Sequence, residues 1–458
     1  MFVFDKEKRI FLKGGVPFFF KIDTAWMAFT NLDTEEFEEY VSCRKKQGFN
    51  ALMIQNTPAF QDMPRTVKHF PFAVREDGSY DLSQVKAEYF SQVKEKLAIL
   101  ASYGLQLFIV PMWVSFIPHS QMEKVFDCAG KQFERFEDYQ KAVDETIALY
   151  QPYHPVWLIG GDAELTGENE TNRQYYGYMA EQIKRHCPQD LISAHTAGGT
   201  YIDSFYIQNG FVDFYTYQSG HMWDNQDHYM SHADMALQSF ELSPRLPVMN
   251  LEPMYEAHGY GNRFGRFGAA DIRRAFWFSV LGGAKAGFAY GAHGIWMFYD
   301  DSGFNNEYWS KVPLNWRAAL QLKGAEDFIA GTELFEKEGL WKLEPRQELL
   351  LMPYREIRVA ASPDRSLIAV YSTAATYVDL ETDLSGYDAV WHLMGEPGEE
   401  SADITITSGR ELKRKNDDLS KGQLFPLQLS ENLANAPVVS RVEMYQHNTD
   451  ALLICRRK

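Results

Sequence analysis

The chain has 458 residues, 45% of them hydrophobic and 23% charged, which excludes a disordered or fibrous protein and suits a large catalytic domain with an appendage. Asp and Glu number 62 against 45 Lys and Arg, a net charge of −17 that repels polyanions, so neither nucleic acid nor anionic membrane is an expected partner. The cysteines, Cys43, Cys128, Cys187 and Cys455, are far apart and form no CxxC, which argues against a zinc ribbon or a disulfide scaffold. The N-terminus lacks the apolar run of a signal peptide, and no apolar stretch is long enough to span a bilayer, so a cytoplasmic location is expected.

In chain order, Val16–Ile22 reads as a buried strand ending at Asp23, and a helix capped by Thr34 follows, with Glu35 and Glu36 in its first turn. Residues 49–55 form the second strand. A helix over about 83–103 stops before Gly104, and Leu105–Pro111 is the third strand. After a helix near 134–150 comes the fourth, Pro155–Asp162. The fifth is Leu191–His195, the sixth Val212–Tyr217 and the seventh Pro247–Glu252. A helix near 270–281 precedes the eighth strand, Ala286–Tyr290, and a closing helix covers about 314–328. Eight buried strands interleaved with helices predict an α/β fold, a (β/α)8 barrel over residues 1–331. The rival doubly wound sheet lacks its G-x-G-x-x-G after the first strand; Gly259–Gly265 comes too late and is expected to be a flexible loop at the active site. From 332 to 458 short runs at 349–352, 357–360, 367–371, 377–380 and 389–393 predict a small β-sandwich-like domain. The basic run Glu411–Lys415 reads as a solvated turn.

In such a barrel the reactive groups stand at the C-terminal ends of the strands. Those positions hold Asp23 and Trp26, Gln55, Trp113, Asp162, His195, Tyr217 with His221 beyond it, Glu252, and Tyr290 followed by His293 and Trp296. The ring is aromatic, polar and short of cations, so it suits a neutral, hydroxyl-rich ligand. Its carboxylates at strands four and seven face one another across the ring. A retaining glycosidase needs two carboxyl groups about 5–5.5 Å apart, one to protonate the leaving oxygen and one to attack the anomeric carbon. Gly160 and Gly161 would let the backbone pass close to a ligand. Glu164 and Glu256 lie near enough in sequence to Asp162 and Glu252 to stand as alternatives. His228 and His232 have one-turn spacing but no third ligand and no HExxH glutamate, so no metal and no cofactor is expected. No G-x-S-x-G elbow is present.

Most of residues 9–330 resembles the apiosidase-like glycoside hydrolases, glycoside hydrolase family 140 and its relatives. The resemblance is carried by Phe18–Trp26, Arg44–Asn50, Val156–Asp162, Asn250–Glu256, Ile272–Trp277 and Gly287–Trp296, six segments in order. It implies a (β/α)8 barrel with Asp162 as acid/base and Glu252 as nucleophile, and an appended C-terminal β-domain. Lys21 and Ile22 depart from the small residues expected before Asp23. The expectation is therefore a retaining glycoside hydrolase removing terminal residues from oligosaccharides. Asp23, Trp26, Gln55, Trp113, His195, Tyr217, Tyr290, His293 and Trp296 are its candidate sugar contacts. Arg273 is expected to pair with a barrel carboxylate. The competing classes are a catalytically silent carbohydrate-binding barrel and an interaction protein.

Overall fold

The computed structural model describes residues 2–458 except 59–66, 125–127, 167–168, 221–227, 260–264, 301–311, 353, 375, 396–397, 420, 422–429 and 445–448, and describes only the backbone of 228, 229 and 444. The chain opens with an antiparallel sheet that sequence reading missed: β1 (Phe2–Asp5), β2 (Ile10–Lys13) and β3 (Val16–Phe18). The expected first strand is thus two strands, because Val16 and Phe18 pair with β2 while β4 (Phe20–Thr24) enters the barrel.

After the short α1 (Ala28–Asn31), α2 runs Thr34–Gln47. Its cap is Asp33, not Thr34: Glu36 Oε2 accepts the Asp33 N–H at 3.1 Å. Next come β5 (Ala51–Gln55), a small hairpin of β6 (Ala73–Val74) and β7 (Tyr80–Asp81), α3 (Ala87–Ser102), β8 (Gln106–Val110), α4 (Phe136–Tyr150), β9 (Val156–Ala163) and α5 (Glu170–His186). The barrel continues with β10 (Ile192–Thr196), α6 (Ser204–Gln208), β11 (Tyr215–Tyr217), α7 (His228–Glu241), β12 (Val248–Asn250), α8 (Ala269–Leu281), β13 (Gly287–Tyr290), α9 (Trp316–Ala319) and α10 (Lys323–Lys337).

The eight barrel strands pair in parallel in the order β10-β9-β8-β5-β4-β13-β12-β11. At the seam between the two end strands, Ser193 Oγ on β10 donates to Phe214 O at 2.6 Å, and Thr216 Oγ1 on β11 donates to Ala194 O. The sheet is therefore a nearly closed (β/α)8 barrel, as expected.

The expected domain boundary at 331/332 falls inside α10, so the change of architecture comes after that helix. Beyond it lie β14 (Glu344–Pro345), β15 (Ile357–Ala361), β16 (Leu367–Ser372), β17 (Thr376–Leu380), β18 (Tyr387–Leu393), β19 (Gly398–Ser401), β20 (Ile404–Thr407), α11 (Gly409–Leu419), α12 (Glu431–Asn435), β21 (Val439–Met444) and β22 (Ala451–Arg457). They form two antiparallel sheets, β14-β15-β16-β22-β18-β19 and β17-β21-β20. Val359, Val370, Val378, Leu380, Val442 and Leu453 pack between them. Residues 349–352 form no strand, and Glu411–Lys415 lies within α11 rather than a turn. Ala369, Tyr371, Leu452 and Ile454 belong to the same apolar core as the barrel, so the two parts share one interior.

Arg273 fastens that junction. Its guanidinium meets Asp327 of the barrel helix α10 at 2.6 Å, a barrel carboxylate as expected from sequence, and also Asp450 of the C-terminal part at 2.7 Å. Among the described residues no helix is long and apolar enough to cross a membrane.

Candidate active site

The strand β9 is apolar up to Ile159 and then changes character. It pairs with β10 in register as far as Gly160 opposite His195, and the next pair is Ala163 opposite Thr196. Gly161 and Asp162 are thus extra residues, a bulge that turns Asp162 out of the sheet. Three successive residues are left-handed, with φ of +104° at Gly160, +85° at Gly161 and +54° at Asp162. A Cβ on Gly160 would lie 2.5 Å from the His195 carbonyl oxygen, and one on Gly161 would lie 2.6 Å from the Trp113 ring. The glycine pair therefore makes room for the barrel's own residues. The Asp162 backbone is held in its uncommon conformation from both sides: its N–H donates to His195 Nδ1 at 3.3 Å, and its carbonyl accepts from Gln121 Nε2.

Glu252 follows β12 by two residues, and its backbone carbonyl accepts the Gly220 N–H at 2.8 Å. Its Oε1 accepts the Tyr255 hydroxyl at 2.7 Å, and that hydroxyl accepts the Trp26 indole N–H at 2.8 Å. His195 stands between the two acids, Nε2 at 3.0 Å from Glu252 Oε2 and Nδ1 at 3.8 Å from Asp162 Oδ1. One oxygen of each acid and a ring nitrogen of His195 all lie within 4.8 Å of one another. That spacing is compatible with the roughly 5–5.5 Å of a retaining pair.

Asp162's carboxyl is pushed up to about 7, first by burial and then by the Glu252 charge, with His195 and Gln218 pulling the other way. Two acids with unlike environments are what acid/base work at neutral pH requires: one can hold a proton while the other attacks. The same trio is the one group of donors among the described residues with spacing suited to a divalent cation. His195 Nδ1 is already engaged by the Asp162 N–H, which leaves Nε2 as the ring atom facing Glu252.

Aromatic rings wall this cluster. The centroids of Trp26 and Trp113 lie 5.2 Å apart, and they lie 4.9 and 5.8 Å from His195. Gln55 and Trp296 flank Trp26, through Gln55 N–H on the Trp26 carbonyl and Met27 N–H on the Trp296 carbonyl. Gln55, Trp26, Trp113, Trp296, His195 and Glu252 are each at most 4% exposed. Both amide atoms of Gln55 and the indole nitrogens of Trp113 and Trp296 have no hydrogen-bond partner among the described residues. Buried polar atoms are costly when left unpaired, so these mark places where a hydroxyl-rich ligand would be welcome. His293 is also buried, its ring 5.0 Å from His258. Burial pushes the His258 imidazole down to about 4.

Three of the expected sugar contacts are turned away from the barrel mouth. Asp23 accepts from Tyr40 and from Arg44 at 2.7 Å, both on α2. Tyr217 donates to the His232 carbonyl on α7 at 2.9 Å. The Tyr290 ring stacks on Phe328 of α10, and its hydroxyl donates to Glu256 at 2.6 Å. Each sits at a strand end but on the helix-facing side, because side chains alternate between the two faces of a strand. Strand-end position alone did not separate the faces.

Of the alternative carboxylates, Glu256 is taken up by Tyr290 and by the Gly324 N–H at the start of α10, at 2.9 Å, while Glu164 is exposed. His232 Nδ1 lies 2.6 Å from Ser219 Oγ. The side chain of its expected pair mate His228, and His221 with residues 260–264 of the glycine-bearing loop, lie outside the described residues. Sequence reading missed Tyr255, Gln121 and Gln218. Tyr255 stands three residues past Glu252, in a segment with no helical or strand period to show where it points.

A (β/α)8 barrel with unlike acids on β9 and beyond β12 is the architecture of a glycoside hydrolase. Residues 5–342 match the family described as apiosidase-like, catalytic domain, and the chain belongs to that family of glycoside hydrolases. It is similar over its whole length to a solved structure titled glycoside hydrolase, at 19% identity and a TM-score of 0.75, covering 97% of that chain. A glycoside hydrolase family 5 protein from Bacteroides vulgatus is similar at 18% identity and a TM-score of 0.74, with 100% of this chain and 93% of that one covered. No curated protein sequence matches the chain.

Proposed function

We propose that this glycoside hydrolase works with retention of configuration, with Glu252 as nucleophile and Asp162 as acid and then base, on terminal sugars of oligosaccharides of the apiose-bearing type. The observation that carries the reading is the asymmetry of the acid pair. The Tyr255 hydroxyl donates to one oxygen of Glu252, and His195 Nε2 stands 3.0 Å from the other. Asp162, pushed up by burial, holds the proton that the leaving oxygen needs. Attack forms a bond from a Glu252 oxygen to the anomeric carbon while the glycosidic bond breaks and the Asp162 proton passes to the leaving oxygen. Asp162, now ionised, takes a proton from water, and the water's oxygen displaces Glu252. No step calls on a metal.

The enclosed position of Trp26, Trp113, Trp296 and Gln55 favours a pocket that takes one chain end over a groove open to a polymer. The test is incubation with a panel of cell-wall oligosaccharides, apiose-bearing ones included, with NMR of the first anomer released. Release of single terminal residues with retained configuration is expected. Inversion, or rapid viscosity loss on an intact polysaccharide, would overturn the reading.

A further inference from the structure

We propose that Tyr255 is a positioning residue for the Glu252 carboxylate, and that Trp26 serves that carboxylate through Tyr255 instead of serving as a platform for the sugar. The proposal rests on the reading of Glu252 as nucleophile. The chain of bonds has a forced direction. An indole nitrogen can only donate, so the Tyr255 oxygen must accept from Trp26 Nε1, and its single proton then points to Glu252 Oε1. Burial, with the Glu252 charge adding to it, holds that hydroxyl protonated far above neutrality, so it remains a donor through the working pH range.

The ring cannot easily move. It is 2% exposed, and Gly291, just past β13, admits it: a Cβ there would lie 2.1 Å from a Tyr255 ring carbon. A donor fixed on Oε1 sets the plane of the carboxylate. It also distinguishes the two oxygens. Oε1 keeps the Tyr255 proton and becomes the carbonyl oxygen of the glycosyl ester. Oε2, facing His195, forms the bond to the anomeric carbon as the leaving oxygen departs with the proton from Asp162. Trp26, with its N–H committed to Tyr255 and its ring packed against Trp113 and His195, polarises the tyrosine from behind.

Tyr255→Phe keeps the ring and removes the hydroxyl, and Trp26→Phe keeps an aromatic side chain and removes the N–H, so the two links are broken singly. With a nitrophenyl glycoside that the enzyme turns over, Tyr255→Phe should lower kcat about 10- to 100-fold, the worth of a hydrogen bond to a charged group, with KM within about threefold. Its acidic limb should move up by about one pH unit. Trp26→Phe should move both quantities the same way by less, again sparing KM. A raised KM with unchanged kcat in Trp26→Phe would make the indole a sugar platform and overturn its assignment. An acidic limb that stays put in Tyr255→Phe would overturn the tyrosine's.

Carbon-13 NMR of the Glu252 carboxyl, identified by its loss in Glu252→Gln, reads the same bond without substrate. Its titration midpoint should rise in both variants, and an unmoved midpoint refutes the relay. Wild-type turnover by Glu252→Ala would instead refute the nucleophile while leaving the titration result standing, so the two failures are distinguishable.

Discussion

Two acid clusters at the same end of the barrel have opposite designs. Asp23, at the end of β4, meets the Arg44 guanidinium at 2.7 Å and the Tyr40 hydroxyl, and acid and arginine are fully buried. Burial works against the Arg44 charge, but Asp23 more than offsets it and holds the guanidinium protonated. Asp162 stands on a bulge in a left-handed conformation. It shares its surroundings with a second carboxylate, and an imidazole and an amide are what favour its ionisation. The first cluster ties α2 to the barrel wall by setting its acid on a guanidinium; the second sets two acids close together with an imidazole between them. A buried acid paired with a guanidinium serves stability, and acids crowded against one another facing a cleft are where chemistry is to be sought.

The largest expected effect of breaking the second cluster is on rate. Glu252→Ala should lose at least about 10⁴-fold in turnover, as removal of a catalytic nucleophile does. Arg44→Ala leaves Asp23 buried beside no cation and should cost about 3–5 kcal/mol of stability in urea denaturation. If Arg44→Ala proves no less stable than wild type, the two clusters differ less than their geometry says.

Asp162→Asn should go the other way. The folded-state carboxyl is raised to about 7 from 3.8, so the native protein binds more protons than the unfolded chain between those values, and stability falls as pH rises through that window. Asn carries no charge and tolerates the left-handed region, so the variant should be more stable by about 1–3 kcal/mol at pH 8 and show no such gain below pH 4. An equal gain at both pH values would assign the effect to backbone strain alone. In the wild type, kcat/KM should fall above about pH 7 as Asp162 loses its proton. The smallest effect is none: EDTA should leave turnover unchanged, and its loss with recovery on adding a divalent cation would recast the trio of Asp162, His195 and Glu252 as ligands.

The eight-strand alternation was legible because each barrel strand is an apolar run bounded by helices with their own caps and charges. The meeting of Asp162 and Glu252 was legible because strands four and seven of an eight-stranded ring face one another, so acids at their C-terminal ends come together. Asp23, Tyr217 and Tyr290 were misplaced for a physical reason: a strand covered by helices on one face and by core on the other is apolar on both. Its sequence pattern therefore does not reveal which way an end residue points. The split of the first strand at Phe19 was hidden likewise, since Val16–Phe20 is an unbroken apolar run and only pairing to β2 divides it. Tyr255 and the bulge at Gly161 are set by tertiary contacts with Trp26, Gly291 and Trp113, which no local pattern encodes.

Azide with the two acid variants and an aryl glycoside bearing a low-pKa leaving group tests the division of labour most directly. Azide attacks without a base, so Asp162→Ala should be rescued and yield the glycosyl azide of retained configuration, while Glu252→Ala should yield the inverted one. Failure of azide to rescue Asp162→Ala, with aryl and natural glycosides losing rate equally, would contradict the assignment of Asp162 as acid/base and turn attention to the exposed Glu164.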